Sequence, residues 1–402
     1  MTDPLTVLVA ARDEEATIAE SVRALRLSYP AAEVIVADDG SRDRTAERAE
    51  QEGALVLRLP ARGKGQALTL AEQAAPPGRL LLADADVRGE LRPLAESSCD
   101  LAIAVLAERQ GGGFGLAKGV SRALVRLMSG FEAREPLSGQ RALSVRGRTA
   151  CFPLAAGFGC ETRGTIDAVR AGLDVRELEL SLSHRATGCD VRGFVHRGRQ
   201  LVDAVLACGP TGVNHRGLRL PLVGWACGVG SDPGVALVML FGFVDDVFGG
   251  PERGFRLHLR AGRTTGVLKL VGIPLAGLLA TRKVSGALLV GLAANALNQL
   301  DTKPGRALKA YLAAALVVRA PLARAILVLP YDLREMTMLG DAGSNTLGAL
   351  LGLRSVSRLT ERGRWLAIGA LAGLNVLGER RSLGELVERT PLLSGLDRLG
   401  RA

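Results

Sequence analysis

Short apolar runs recur through the first ninety residues at 7–11, 34–37, 55–57 and 80–83, and helix patterns fill the gaps between them. Strands alternating with helices at this spacing predict βαβ units and a parallel sheet. Because the runs are apolar on consecutive positions, each strand is expected to be covered on both faces. A parallel sheet brings all its strand carboxyl ends to one edge, the edge at which open α/β sheets bind ligands.

Each run delivers polar residues to that edge. Residues 80–87 end in Asp84, Ala85, Asp86 and Val87. Two carboxylates one residue apart repel unless a cation or a hydrogen-bond network holds them, and a divalent ion shared with substrate phosphates is one solution. The other reading is a plain strand-end turn. Asp38 and Asp39 follow the second run and read either as acceptors for a ribose or base or as helix N-caps. Ser41 is placed to cap the helix that carries Thr45, Ala46 and Ala49. Lys64, between Gly63 and Gly65, reads either as a phosphate contact at a helix N-terminus or as a solvated loop lysine.

The chain has 402 residues, enough for two domains or three. With 48% hydrophobic residues, 50 glycines and a mean hydropathy of +0.20, a wholly soluble enzyme is not the default expectation. The net charge of +10 would suit nucleic acid, yet aromatics are only 3% and no basic-aromatic groove is visible, so nucleic acid is not expected. Anionic headgroups and phosphorylated substrates account for the charge instead. Cys99, Cys151, Cys160, Cys189, Cys208 and Cys227 form no close pair and read as small packing residues in a reducing compartment. No signal-like stretch opens the chain, so the first domain is expected in the cytoplasm.

Residues of about 5 to 200 resemble a family 2 glycosyltransferase of the GT-A fold. Ala11, Arg12, Asp13, Glu14 and Glu15 are similar to the family's opening motif, although Ala10 and Ala11 stand where a proline is common. The stretch from Asp38 through Gly40, Ser41, Arg42, Asp43 and Arg44 to Thr45 resembles the nucleotide-binding signature, and Asp84, Ala85 and Asp86 the metal-binding triplet. The resemblance implies that Ala11, Asp13, Glu14, Asp38, Asp39, Lys64 and Asp84 bind a UDP- or GDP-linked sugar. It also implies that Asp86 holds Mg²⁺ or Mn²⁺, with His184 at the position of a metal-ligating histidine; a capped loop histidine is the other reading of His184. Gly111, Gly112, Gly113, Phe114 and Gly115 form a loop suited to closing over substrate. Arg141, in the run Ser138, Gly139, Gln140, Arg141, is similar to an arginine near an acceptor phosphate. Glu161 is either a general base or an organiser of the acceptor site, and base chemistry is needed only if the acceptor is a hydroxyl.

Beyond residue 218, apolar runs at 220–244, 267–280, 284–294, 308–330 and 365–377 suggest membrane spans, several of them short or carrying an arginine. Asn295, Asn298 and Asp301 share one helical face. The sets Asn214 to Pro221, Gly242 to Asp246, Asn295 to Asp301 and Met338 to Ser344 resemble the polyprenyl-phosphate N-acetylhexosamine-1-phosphate transferase family. That resemblance implies catalytic roles for Asp245 and Asp246, a metal at Asp341, and lipid-phosphate contacts at Lys269, Asn295, Asn298 and Asp301. Fewer spans are present than that family has.

The expected organisation is an α/β, Rossmann-like, mostly parallel GT-A domain over 1–205. An all-α multi-span membrane domain over 206–378 and a charged cytoplasmic tail over 379–402 follow. The expected function is metal-dependent transfer of a sugar to polyprenyl phosphate or a lipid-linked glycan at the cell membrane. Two alternatives concern the second half: an active sugar-1-phosphate transferase that releases UMP, or a non-catalytic lipid-phosphate-binding anchor.

Overall fold

A computed structural model describes residues 3–106, 115–182, 191–248 and 265–401. The chain divides into two compact units, one of Met1–Gly209 with Gly217–Arg219, the other of Pro210–Arg216 with Leu220–Ala402.

In the first unit the strands are β1 (Leu5–Ala11), β2 (Glu33–Asp38), β3 (Leu55–Arg58), β4 (Arg79–Asp84), β5 (Leu101–Leu106), β6 (Arg141–Leu143) and β7 (Val175–Leu180). They form one sheet in the order β3-β2-β1-β4-β6-β5-β7. Only β6 runs antiparallel to its neighbours; the other pairs are parallel. The helices are α1 (Ile18–Ser28), α2 (Thr45–Gln51), α3 (Lys64–Ala74), α4 (Arg92–Ala95), α5 (Leu116–Ser129), α6 (Val145–Cys151), α7 (Cys160–Arg170) and α8 (Val191–Cys208).

The two-residue period of the strands sorts the core into two layers. Val7, Val9, Val34, Val36 and Leu81 face α1, packing on Ile18, Val22 and Leu25. Leu8, Ile35, Leu80 and Leu82 face the other way onto Ala67, Leu68 and Ala71 of α3. The register sets Ala11 beside Asp38 and Ala10 beside Asp84, so the two aspartates reach the same edge of the sheet one residue apart.

The second unit contains β8 (Thr211–Val213) and all but Arg219 of β9 (Arg219–Pro221), which pair in a short ribbon, then helices. These are α9 (Pro233–Phe248), α10 (Thr265–Thr281), α11 (Val284–Leu300), α12 (Arg306–Val318), α13 (Ala323–Leu333), α14 (Gly340–Arg358), α15 (Glu361–Arg380), α16 (Leu383–Arg389) and α17 (Pro391–Arg398). Helix α14 is central and packs backbone to backbone. A Cβ added at Gly348 would lie 2.4 Å from the Cα of Ala294 on α11, and one at Gly242 of α9 would lie 2.6 Å from that of Ala342.

The expected multi-span membrane domain is not what these residues form. Among the described residues no helix is long and apolar enough to cross a membrane. A crossing takes about twenty apolar residues. The apolar run at 308–330 breaks into helices of 13 and 11 residues because Arg319 turns left-handed at φ 56° and Pro321 follows. Helices α14 and α15 reach 19 and 20 residues, but α14 carries Asp341, Arg354 and Arg358, and α15 carries Glu361, Arg362, Arg364, Glu379 and Arg380. The last helices fold back on their unit: Arg306 donates to Asp397 at 2.9 Å and to Glu388 at 2.8 Å.

Candidate active site

The carboxyl ends of β1, β2 and β4 carry the loops that build the site. Asp13, left-handed at φ 55°, donates its N–H to Ser41 Oγ and accepts from the N–H of Arg42. The N–H of Glu14 donates to Thr45 Oγ1 at 2.8 Å, and that of Glu15 to Asp43 at 3.1 Å. Asp38 accepts from the N–H and hydroxyl of Ser41. Buried Asp39 accepts from the N–H groups of Arg62 and Gly63 at 2.7 and 2.9 Å, and its N–H donates to the carbonyl of Ala11. Burial pushes the Asp39 carboxyl above its ordinary range, against those two N–H groups and Arg12. The loop after β1 is thus laced to the loop after β2, and Asp39 reaches on to the segment that presents Lys64.

Lys64 opens α3 and joins two sides of the site. Its ammonium lies 2.6 Å from Asp84 Oδ1 and 2.7 Å from Glu161 Oε1. Burial opposes its charge, but the two carboxylates outweigh burial and hold Lys64 protonated well above the ordinary lysine range. Glu161 is buried in the first turn of α7, where the helix N-terminus favours a carboxylate, and its other oxygen accepts from the Cys160 thiol at 3.0 Å. A cavity at this point is lined by Lys64, Leu82, Gly139, Arg141, Cys160 and Glu161.

Asp84 has a second partner, one that the sequence pattern did not single out. Gln140 Nε2 donates to Asp84 Oδ2 at 2.7 Å, while the N–H of Asp84 donates to Gln140 Oε1 at 3.0 Å. Gly139 makes room for this arrangement, since a Cβ there would lie 2.4 Å from Asp84 Oδ2 and 2.6 Å from Lys64 Nζ. Asp86 is half-buried on the turn beyond, where the buried hydroxyl of Ser21 holds the carbonyl of Ala85 at 2.7 Å. Arg141 is buried and directed inward, donating to the carbonyls of Ser138 and Pro136 and to Thr165 Oγ1. Burial lowers its pKa, with Glu161 opposing. His184 and Gly111 to Phe114 lie outside the described residues.

In the second unit Lys269 bridges Asp245 and Asp341. Asp246 accepts from the N–H groups of Asp341 and Ala342 at 2.8 and 2.9 Å, which caps α14. Burial raises Asp246 to about 6, and raises Asp341 and Asp301, with Asp332, Asp341 and Asp246 adding to the effect on Asp301. Asn295 turns instead to Asn375 of α15, and Asn298 is half-buried near the end of α11. Among the described residues no group of three or more His, Cys, Asp or Glu side chains is arranged to hold a metal by itself.

Residues 6–113 match the family model described as Glycosyl transferase family 2. The first unit therefore carries a family 2 glycosyltransferase domain, and the protein is an enzyme of the glycosyltransferase class. A solved structure of a mycobacterial protein is 24% identical to the chain, covering 52% of it and 78% of its own length, with a TM-score of 0.44. Glucosyl-3-phosphoglycerate synthase from Mycobacterium tuberculosis in complex with phosphoglyceric acid is 25% identical, covering 55% and 86%, with a TM-score of 0.44. The same synthase with Mn²⁺, uridine diphosphate and phosphoglyceric acid is 26% identical, covering 52% and 79%, with a TM-score of 0.42. Comparison with curated protein sequences yields no significant match.

Proposed function

We propose that the first unit transfers a sugar from a UDP- or GDP-linked donor to an acceptor carrying a phosphate, and that this acceptor is polyprenyl phosphate or a lipid-linked glycan. The observation that carries the reading is Lys64, held between Asp84 at the donor edge and Glu161 at the head of α7. There the ammonium offsets the charge of Asp84 and of Glu161, which lets a donor diphosphate approach on one side and an acceptor phosphate on the other.

The donor set fits Mg²⁺ or Mn²⁺, which are bound through one or two carboxylates completed by substrate phosphates, and Asp86 would be the protein ligand. When bound, the ion supplies neutralisation of the departing nucleoside diphosphate. The chain's own residues do the rest. Asp39 and Gly63 fix the loop that presents Lys64, and Arg141 locks the segment from Pro136 to Ser138 beside the cavity. Glu161, paired with Lys64, orders the acceptor end. With polyprenyl phosphate, a phosphate oxygen attacks the anomeric carbon as the bond from that carbon to the diphosphate breaks, and no proton has to be removed; with a glycan acceptor a hydroxyl oxygen attacks and its proton passes to a base, the role open to Glu161.

Membrane association belongs to the same proposal. Leu316, Val317, Leu327 and Leu366 of the second unit are each at least 68% exposed, apolar side chains open to lipid. The bridge from Lys269 to Asp245 and Asp341 favours a second reading, in which the second unit moves a sugar phosphate and releases UMP.

The test is the nucleotide released by the full chain with Mg²⁺ or Mn²⁺, a panel of nucleotide sugars, and polyprenyl phosphate or phosphoglyceric acid as acceptor. UDP or GDP release that is lost in Asp86→Ala is the expected result. UMP release lost in Asp341→Ala would establish the second activity. Turnover with phosphoglyceric acid but not with polyprenyl phosphate would remove the lipid acceptor from the proposal.

A further inference from the structure

The pairing of β4 with β6 ends at Leu82 opposite Arg141. One residue before Arg141, the side chain of Gln140 takes over from the ladder. Its amide oxygen accepts the N–H of Asp84 at 3.0 Å and its amide nitrogen donates to the Asp84 carboxylate at 2.7 Å. Gln140 is itself fixed: only 6% of it is exposed, and its carbonyl accepts the N–H of Ala104 on β5 at 3.0 Å. Only a group with an acceptor and a donor side by side can hold both the backbone and the side chain of one aspartate. Glutamate lacks the donor, and leucine or methionine lacks both.

We propose that Gln140 is a positioning residue for metal-dependent donor binding, acting through Asp84. Asp84 starts the turn that ends in Asp86, so pinning it at two atoms sets the direction in which Asp86 leaves the sheet. The same clamp keeps Asp84 Oδ1 turned to Lys64. The inference rests on the donor-site reading above, in which Asp86 meets a diphosphate-bound Mg²⁺ or Mn²⁺.

The experiment is calorimetric titration of the full chain with UDP, once with Mn²⁺ and once with chelator, on the wild type and on Gln140→Met. Methionine keeps the volume and removes both hydrogen bonds. The expected result is an affinity about tenfold weaker with Mn²⁺ and within twofold of wild type under chelator, with the far-ultraviolet circular dichroism spectrum of the wild type. Wild-type affinity in the Mn²⁺ arm, or equal losses in both arms, would overturn the proposal while leaving the donor site standing. A wild type whose UDP binding ignores Mn²⁺ would overturn the donor-site reading and the proposal together. Should Gln140→Met fail to fold, Gln140→Asn, which keeps the amide but is too short to span both atoms, is held to the same split and the same overturning results.

Discussion

At position 139 a hydrogen stands where any other residue would place a carbon against the Asp84 carboxylate and the Lys64 ammonium, 2.4 to 2.6 Å away. Gly139→Ala is therefore expected to push both side-chain ends from their present positions and to weaken the contact of Lys64 with Asp84. Lys64 then keeps Glu161 and Asp84 keeps Gln140, so the loss falls on the link between the two sides of the site. The expected outcome is transfer activity at least about a hundredfold lower, with far-ultraviolet circular dichroism unchanged. Activity within twofold of wild type would show that the Lys64 bridge is dispensable. Much of this residue-level geometry was hidden in the sequence. Asp84, Asp86 and Lys64 stand at strand ends or between glycines, where their chemistry is exposed to reading, whereas Gly139 and Gln140 acquire meaning only when β6 lies beside β4.

Among the elements, the loop after β2 shows how side chains substitute for regular structure. Asp43 accepts from the N–H of Thr45 at 3.0 Å, so it caps the start of α2, and its other oxygen accepts from the N–H of Glu15 at 3.1 Å. Asp43→Ala removes a cap and a cross-link together. It is expected to cost about 1 to 2 kcal/mol in a denaturant titration and to raise the donor KM more than the acceptor KM. Equal effects on both KM values would mean that the laced loops do not serve the donor side. The strands β1, β2, β3 and β4 were legible because their apolar runs are long enough to mark themselves. Strand β6, three residues long, gives no such signal. In the second unit the run at 308–330 reads as one apolar stretch in spite of Arg319 and Pro321, and the left-handed backbone at Arg319 that divides it is imposed by packing.

Across the whole molecule, the pH dependence of stability is set by the carboxyl groups that burial raises. Each unit sets a partly buried lysine between two carboxylates, and the second also holds several aspartates that burial raises. Asp332 is 4% exposed and accepts from the N–H of Gly305 at 2.5 Å. Burial raises its carboxyl from 3.8 to about 6, with the N–H groups of Gly305 and Leu339 and the charge of Arg401 working the other way. Between those two values the folded chain binds a proton that the unfolded chain has released, so stability falls as pH rises. The contribution is fully present below about 3.8 and is lost as pH passes through about 6. A difference of about 2 pH units corresponds to roughly 3 kcal/mol. Asp246, raised to about 6 by burial, acts in the same direction. The lowered carboxylates Glu388 and Asp397 act in the opposite direction, at more acidic pH. Thermal melts of the full chain from pH 5 to pH 7.5 are thus expected to show the transition of the second unit moving down as pH rises. In Asp332→Asn, whose amide oxygen still accepts from Gly305, the slope is expected to flatten. An identical slope in the variant would mean that the proton resides elsewhere in the second unit.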